Sequence, residues 1–185
     1  MDTRNGFAIW ITGLPGSGKS TIADALKGKF EEDKIRVQIL RMDEVRRIVT
    51  PIPKYSDEER DIVYAALAYM GKILTDNGIN VIFDATANRQ RYRDKARELI
   101  KRFMEVYLKC PLEICMEREK SRKELAGAPK DIYKRAMKGD IGTVPGFQVQ
   151  YEEPRNPEMI IEVDKLSPDK CVEEIYVKAS GLFSL

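Results

Sequence analysis

The residues with the clearest chemistry lie near the N-terminus, in the segment Gly13-Leu14-Pro15-Gly16-Ser17-Gly18-Lys19-Ser20. A glycine, four residues, a second glycine, Lys and Ser form the pattern of a phosphate-binding loop. Glycines let successive backbone N–H groups turn toward phosphate oxygens, and the helix that follows adds its positive N-terminal end. Lys19 is predicted to contact the β- and γ-phosphates of ATP, and the Ser20 hydroxyl to bind Mg²⁺. Thr21 completes the predicted nucleotide-binding set.

The composition restricts the chemistry that can accompany this loop. The 185 residues include no histidine, which excludes histidine bases, Ser-His-Asp and Cys-His nucleophiles, and histidine metal sites. A hydrophobic fraction of 43% argues against a disordered chain, and 32 Lys and Arg against 30 Asp and Glu provide no global basic field for nucleic acid. The sequence contains no guanine-reading Asn-Lys-x-Asp segment, which argues against a GTPase. Catalysis is therefore expected to use carboxylates, Lys, Arg or a bound metal.

Three features favour a cytoplasmic protein without a membrane segment. Residues 1–6 lack the apolar stretch of a signal peptide, and no run approaches the roughly 20 apolar residues of a membrane span. Three cysteines are an odd number, and they lack the close pairing that zinc and redox motifs need. We expect a reducing compartment and buried, unpaired thiols.

The elements that position these residues alternate between strands and helices. Apolar runs predict strands over Phe7–Ile11, Val37–Leu40, Ile79–Phe83, Glu105–Lys109 and Met159–Val163. Helical periods predict helices over about Ser20–Phe30, from a Ser56 cap to Asp76, and over Arg89–Phe103, Leu112–Lys123 and Pro168–Ser180. This alternation predicts an α/β P-loop NTPase fold, a parallel sheet of about five strands flanked by helices, in one domain over residues 1–185. Residues 122–157 are rich in Gly and Pro and are predicted to form a mobile lid.

Longer motifs resemble the adenylylsulfate kinase (APS kinase) family from Ile9 to about Val163. The segment from Trp10 to Ala23 resembles the family's W-[FL]-T-G-L-S-G-[AS]-G-K-S-T-[IL]-A. Three later matches occur in the family's order: Cys110–Cys115 with P-L-E-V-C, Ile132–Ala136 and Gly139–Ile141 with L-Y-K-[KR]-A-R-x-G-E-I, and Tyr151–Glu158 with P-Y-E-x-P-x-N-P-E. The resemblance implies transfer of the ATP γ-phosphate to the 3′-OH of adenosine 5′-phosphosulfate (APS), with Mg²⁺. It leaves a homodimer open.

The resemblance also implies roles for individual residues. Asp43 matches the second aspartate of the family's L-D-G-D and is expected to accept the 3′-OH proton. Arg46, one turn later, is expected to pair with the phosphosulfate. The alternatives from the residues alone are a helix cap for Asp43 and a solvated side chain for Arg46.

Four more residues take their expected roles from matched positions. Tyr55 stands where the family has a phenylalanine that stacks on the APS adenine, and Arg60 is expected to reach the phosphosulfate. Arg118 is expected to stack on the ATP adenine. Lys134, in the predicted lid, is expected to approach the acceptor or the transferred phosphate, and its alternative is a solvated lysine. The family's E-N-I-R-R is replaced by residues 62–66, so an Asn and Arg pair is missing.

A second departure follows the third predicted strand. Asp84-Ala85-Thr86-Ala87-Asn88 replaces the family's A-F-I-S-P and resembles the D-x-T-N of kinases related to polynucleotide and seryl-tRNA kinases. Asp84 is predicted to hold Mg²⁺ through water, with a helix cap as its alternative. The alternatives to APS are therefore an RNA end or an aminoacyl-tRNA as acceptor, or a nucleotide-binding module without catalysis.

Overall fold

A computed structural model describes residues 5–121, 131–139 and 143–185. These residues contain five strands, β1 Ala8–Thr12, β2 Val37–Arg41, β3 Asn80–Asp84, β4 Phe103–Lys109 and β5 Met159–Glu162. The strands are parallel and lie in the order β2-β3-β1-β4-β5. The predicted α/β fold and its five strands are confirmed, with small shifts at the strand ends. The single domain over residues 1–185 stays a prediction.

Helices connect the strands and cover both faces of the sheet. They are α1 Lys19–Glu32, α2 Met42–Val49, α3 Asp57–Asp76, α4 Gln90–Leu99, α5 Leu112–Ser121, α6 Ile132–Met137 and α7 Pro168–Phe183. The predicted Ser56 cap is confirmed, because its hydroxyl accepts the backbone N–H of Glu59 at 3.2 Å. The prediction that α4 continues to Phe103 is wrong. Phe103 is the buried first residue of β4, with its ring 6.5 Å from that of Trp10.

The central strand β1 divides the core into two layers. Phe7, Ile9 and Ile11 lie in the cluster that includes α1 and α7, whereas Ala8 and Trp10 face the cluster that includes α3 and α4. This alternation has the two-residue period of a strand, and both faces are apolar because helices cover both. Strand β1 therefore forms a rigid base for the loop that follows it.

The predicted lid falls partly outside the described residues, since residues 122–130 and 140–142 are not among them. The far end of the segment contacts the body: the Glu152 backbone N–H donates to the Asn88 carbonyl at 2.8 Å. Just beyond the segment, Arg97 Nη1 lies 2.6 Å from Glu158 Oε1. Mobility of the lid stays a prediction. Among the described residues, none of the helices has the length and apolarity needed to cross a bilayer.

Candidate active site

A cavity of about 980 Å³ opens at the carboxyl end of the sheet, beside the phosphate-binding loop. Ligands of open parallel sheets bind at this edge, where loops diverge from neighbouring strands. Twelve of the predicted site residues line the cavity: Pro15, Gly16, Gly18, Lys19, Ser20, Thr21, Asp43, Arg46, Tyr55, Arg60, Asp84 and Arg118. The fold thus brings most of the predicted site together from distant parts of the chain.

The phosphate-binding loop depends on glycines at its turns. Gly16 has a φ of 83°, and a Cβ there would lie 2.3 Å from the Cys115 carbonyl oxygen of α5. Gly18, with a φ of 97°, directly precedes α1. Only glycine combines this backbone geometry with so close an approach of α5.

Lys19 is held inside this loop. Its Nζ donates to the Leu14 carbonyl oxygen at 2.9 Å, and the residue is 9% exposed. Burial lowers the pKa of Lys19, while the carboxylates of Asp84 and Asp43 act in the opposite direction. The two carboxylates favour the charged ammonium, which is the form that binds phosphate oxygens.

Asp84 lies at the end of β3, where the β2–β3 register pairs it with Arg41. Arg41 Nη1 donates to Asp84 Oδ2 at 3.2 Å, and the same guanidinium forms ion pairs with Asp24 and Glu44. Asp84 is not a helix cap, because α4 is capped at Arg89. Sequence reasoning missed Arg41, which replaces the first aspartate of L-D-G-D with the opposite charge.

The residues present fit a magnesium ion. A carboxylate from Asp84 and a hydroxyl from Ser20 are hard oxygen donors on one cavity wall. Described residues include no group of three or more His, Cys, Asp or Glu that could hold a metal. Mg²⁺ does not need such a group, since it binds nucleotide sites through one or two protein oxygens, waters and phosphates.

Asp43 lies in the first turn of α2 and faces the cavity. The N-cap of α2 is Arg41, so Asp43 is not the cap that the alternative interpretation required. The carboxylate is close enough to Lys19 to affect its pKa. Asp43 is thus a carboxylate beside the phosphate-binding loop.

Arg46 lines the cavity and contacts Tyr55 and Glu59. Its Nη1 lies 2.8 Å from Glu59 Oε1, and its guanidinium carbon lies 4.9 Å from the centre of the Tyr55 ring. Glu59 Oε2 accepts the backbone N–H groups of Lys54 and Tyr55. Sequence reasoning assigns Glu59 no role in the site, whereas the structure shows that it anchors the 54–55 loop and neutralises Arg46.

Arg60 is buried among neutral hydrogen-bond acceptors. It is 5% exposed and donates to the Tyr55 carbonyl at 3.2 Å, to Asn88 Oδ1 at 3.1 Å and to the Thr143 carbonyl at 2.8 Å. All three acceptors are neutral, and within residues 5–121, 131–139 and 143–185 no ion pair with a carboxylate involves Arg60. Among the described residues, the charge of Arg60 is therefore not neutralised by a carboxylate.

Lys134 does not line the cavity, and its predicted approach to the acceptor or the transferred phosphate stays a prediction. Lys134 is exposed on α6, and the cavity face of that short helix consists of Ile132 and Arg135. Residues three apart share a helix face, and Tyr133 turns inward to donate its hydroxyl to the Pro15 carbonyl at 2.8 Å. The cation that α6 contributes to the wall is Arg135.

Arg118 lies where α5 reaches the cavity. Its Nη2 donates to the Val163 carbonyl at 2.9 Å, which fixes the guanidinium beside the phosphate-binding loop. Gly13, Leu14 and Ser17 belong to the loop but not to the cavity lining. Their contribution is to the shape of the loop, as in the Ser17 N–H donation to the Leu14 carbonyl at 3.0 Å.

Comparisons with known proteins agree with this geometry. A family model described as adenylylsulphate kinase matches residues 5–162. A probable adenylyl-sulfate kinase from Pyrococcus abyssi is 37% identical over 177 residues, which cover 96% of this chain and 97% of the relative. Another from Archaeoglobus fulgidus is 40% identical over 159 residues, which cover 86% of this chain and 97% of the relative.

The solved structure of the Mycobacterium tuberculosis APS kinase CysC in complex with AMPPNP and APS has a similar fold. The TM-score is 0.84 at 28% identity, with 94% of this chain and 97% of that chain covered. The family match includes the phosphate-binding loop, Arg46, Arg60 and the strands of the sheet. This chain therefore belongs to the adenylylsulphate kinase family.

Proposed function

We propose that this chain transfers the γ-phosphate of ATP to the 3′-OH of APS, which yields ADP and 3′-phosphoadenosine 5′-phosphosulfate. The observation that carries the proposal is one cavity lined both by the phosphate-binding loop and by Arg60, whose charge no carboxylate among the described residues neutralises. Such a cavity suits two anionic ligands whose reacting groups meet between the walls. The relative solved with AMPPNP and APS supports the same pair of ligands.

The donor side binds the triphosphate. Backbone N–H groups of the loop and the Lys19 ammonium hold the β- and γ-phosphates. Lys19 also stabilises the negative charge that develops on the phosphoryl group during transfer. Mg²⁺ bound through Ser20 and Asp84 would neutralise charge on these phosphates. Arg118 provides a flat cation for the adenine of ATP.

Asp43 performs the proton transfer. Its carboxylate accepts the proton of the 3′-OH while the hydroxyl oxygen forms a bond to the γ-phosphorus and the bond to the ADP oxygen breaks. In the resting site the carboxylate of Asp43 and the ammonium of Lys19 attract each other.

The acceptor side binds APS. Tyr55 offers an aromatic face to the adenine, and Arg60 offers charged donors to the phosphosulfate. Arg46 is a second donor whose charge Glu59 already offsets. Contact of Lys134 with the acceptor, a homodimer and a cytoplasmic location stay predictions from the sequence.

An ADP-release assay with three acceptors tests the proposal. We expect rapid turnover with APS, and little with adenosine 5′-phosphate or a 5′-hydroxyl RNA. Relatives named adenylyl-sulfate kinase and a formal net charge of +2 both favour APS over an RNA end. Preferred phosphorylation of RNA, or ATP binding without any acceptor turnover, would contradict the proposal.

A further inference from the structure

Asn88 links the acceptor wall to the body of the protein. It is 2% exposed, and its Oδ1 accepts Arg60 Nη1 at 3.1 Å. Its Nδ2 donates to the Gln150 carbonyl at 3.2 Å, and its own carbonyl accepts the Glu152 N–H at 2.8 Å. Every polar group of the Asn88 side chain is therefore engaged, and one of its bonds sets the orientation of Arg60.

The neutrality of this partner distinguishes Arg60 from other buried arginines. Arg46 faces the Glu59 carboxylate at 2.8 Å, and Arg93 faces the Glu105 carboxylate at 2.7 Å. A carboxylate neutralises a buried guanidinium, whereas an amide oxygen orients it and leaves its charge in place. Asparagine and aspartate have nearly the same shape, so the two residues would differ at position 88 mainly in the charge that they place beside Arg60.

We propose that Asn88 is a positioning residue for the anionic acceptor: it orients Arg60 toward the cavity without cancelling its positive charge. The inference rests on the proposed function, because it assigns the anion to the acceptor. An aspartate at position 88 would keep an oxygen for Arg60 Nη1 but would form an ion pair that competes with the phosphosulfate. Asn88 thus contributes to affinity for the acceptor indirectly, because it holds Arg60 in place.

Steady-state ADP release with varied APS and varied ATP, with a melting temperature for each variant, tests this role. Asn88→Asp is expected to raise the KM for APS about tenfold or more, because a hydrogen bond to a charged group is weakened when that charge is already paired. The KM for ATP is expected to change by less than about twofold. Asn88→Ser removes the amide oxygen that orients Arg60 but adds no charge, so its KM for APS is expected to rise by only about threefold.

Gln90→Glu is the matched control. It makes the same amide-to-carboxylate change at a buried residue two positions away, but Gln90 Oε1 accepts from Arg93 at 2.8 Å rather than from Arg60. Arg93 is already paired with Glu105, so the KM for APS is expected to be unchanged. In an Arg60→Gln background, Asn88→Asp is expected to raise the KM for APS by less than it does in the wild type, because the charge it cancels is gone.

Three results would overturn the inference. They are an unchanged KM for APS in Asn88→Asp, an equal rise in Asn88→Ser, and an equal rise in Gln90→Glu. If Asn88→Asp does not fold, Asn88→Ser decides alone: a rise in the KM for APS of about threefold supports the inference, and either an unchanged KM or a rise of about tenfold refutes it. No APS turnover by the wild type would overturn the proposed function as well, which distinguishes that failure from failure of the inference alone.

Discussion

Two buried arginines on one wall of the cavity are expected to give opposite phenotypes when each is replaced by methionine. Methionine keeps an unbranched apolar side chain and removes the charge. Arg60→Met removes the cation that no carboxylate among the described residues neutralises. We expect the KM for APS to rise roughly 10- to 150-fold, from the 1.5–3 kcal/mol that a hydrogen bond to a charged group contributes.

Arg46→Met should act mainly on stability. It leaves the Glu59 carboxylate, whose side chain is 11% exposed, without the guanidinium at 2.8 Å. Breaking a buried ion pair by removal of one partner costs about 3 kcal/mol, which lowers the melting temperature of a domain this size by roughly 6–12 °C. Arg60→Met also removes an uncompensated buried charge, so its melting temperature is expected to fall by less than about half as much.

The assay combines ADP release at varied APS with thermal unfolding of the same preparations. Arg91→Met is a matched control, because Arg91 is an exposed arginine whose ion pair with Asp61 lies outside the cavity lining. It should change neither quantity appreciably. An Arg46→Met variant that loses APS affinity as strongly as Arg60→Met, with no loss of stability, would refute the reasoning from charge compensation.

Three further substitutions test the donor side, the base and a pH-dependent contact. Lys19→Ala is expected to lower kcat about 10²–10³-fold in the ADP-release assay with the fold intact, because it removes a charge aimed at the migrating phosphoryl group. Asp43→Asn should lower kcat much more than it weakens ATP binding, measured by titration, since it keeps the shape and removes the proton acceptor. Glu152 has a pKa below its ordinary 4.5, held there by the Gln90 backbone N–H and then by Arg89. Its contribution to stability is therefore present above about pH 4.5 and lost as the pH falls through the lowered value, and Glu152→Gln should flatten that part of the melting-temperature profile.

Each of these substitutions has a control variant, either on the same helix or at the next residue. Lys27→Ala on α1 and Glu44→Gln on α2 alter partly or well exposed charges and should keep near-normal kcat. Normal turnover in Lys19→Ala contradicts the role of the loop, and equal losses of kcat and ATP affinity in Asp43→Asn assign Asp43 to binding rather than proton transfer. Glu153→Gln, next to Glu152 but with its carboxylate 4.0 Å from the Lys109 ammonium, should leave the acid profile unchanged.

Local signals explain the parts of the fold that the sequence predicts well. Strand β1 is apolar on both faces because it is central, and the glycines after it have the spacing that a phosphate-binding loop requires. Ser56 marks the start of α3, because its hydroxyl accepts the backbone N–H of Glu59 in the first turn of the helix. These features depend on neighbours in the chain, so periodicity and spacing reveal them.

Contacts between distant segments explain what the sequence left open. The register of β2 and β3 pairs Arg41 with Asp84, and the rotation of α6 puts Arg135 rather than Lys134 on the cavity. Two of the neutral groups that accept hydrogen bonds from Arg60 belong to Asn88 and Thr143, which lie 28 and 83 positions away in the chain. The sequence alone determined which residues could bind phosphate, accept a proton or carry charge. Only the tertiary structure decided which of those charges are neutralised, because ion pairing depends on distances of a few ångströms between segments whose separation in the chain carries no such information.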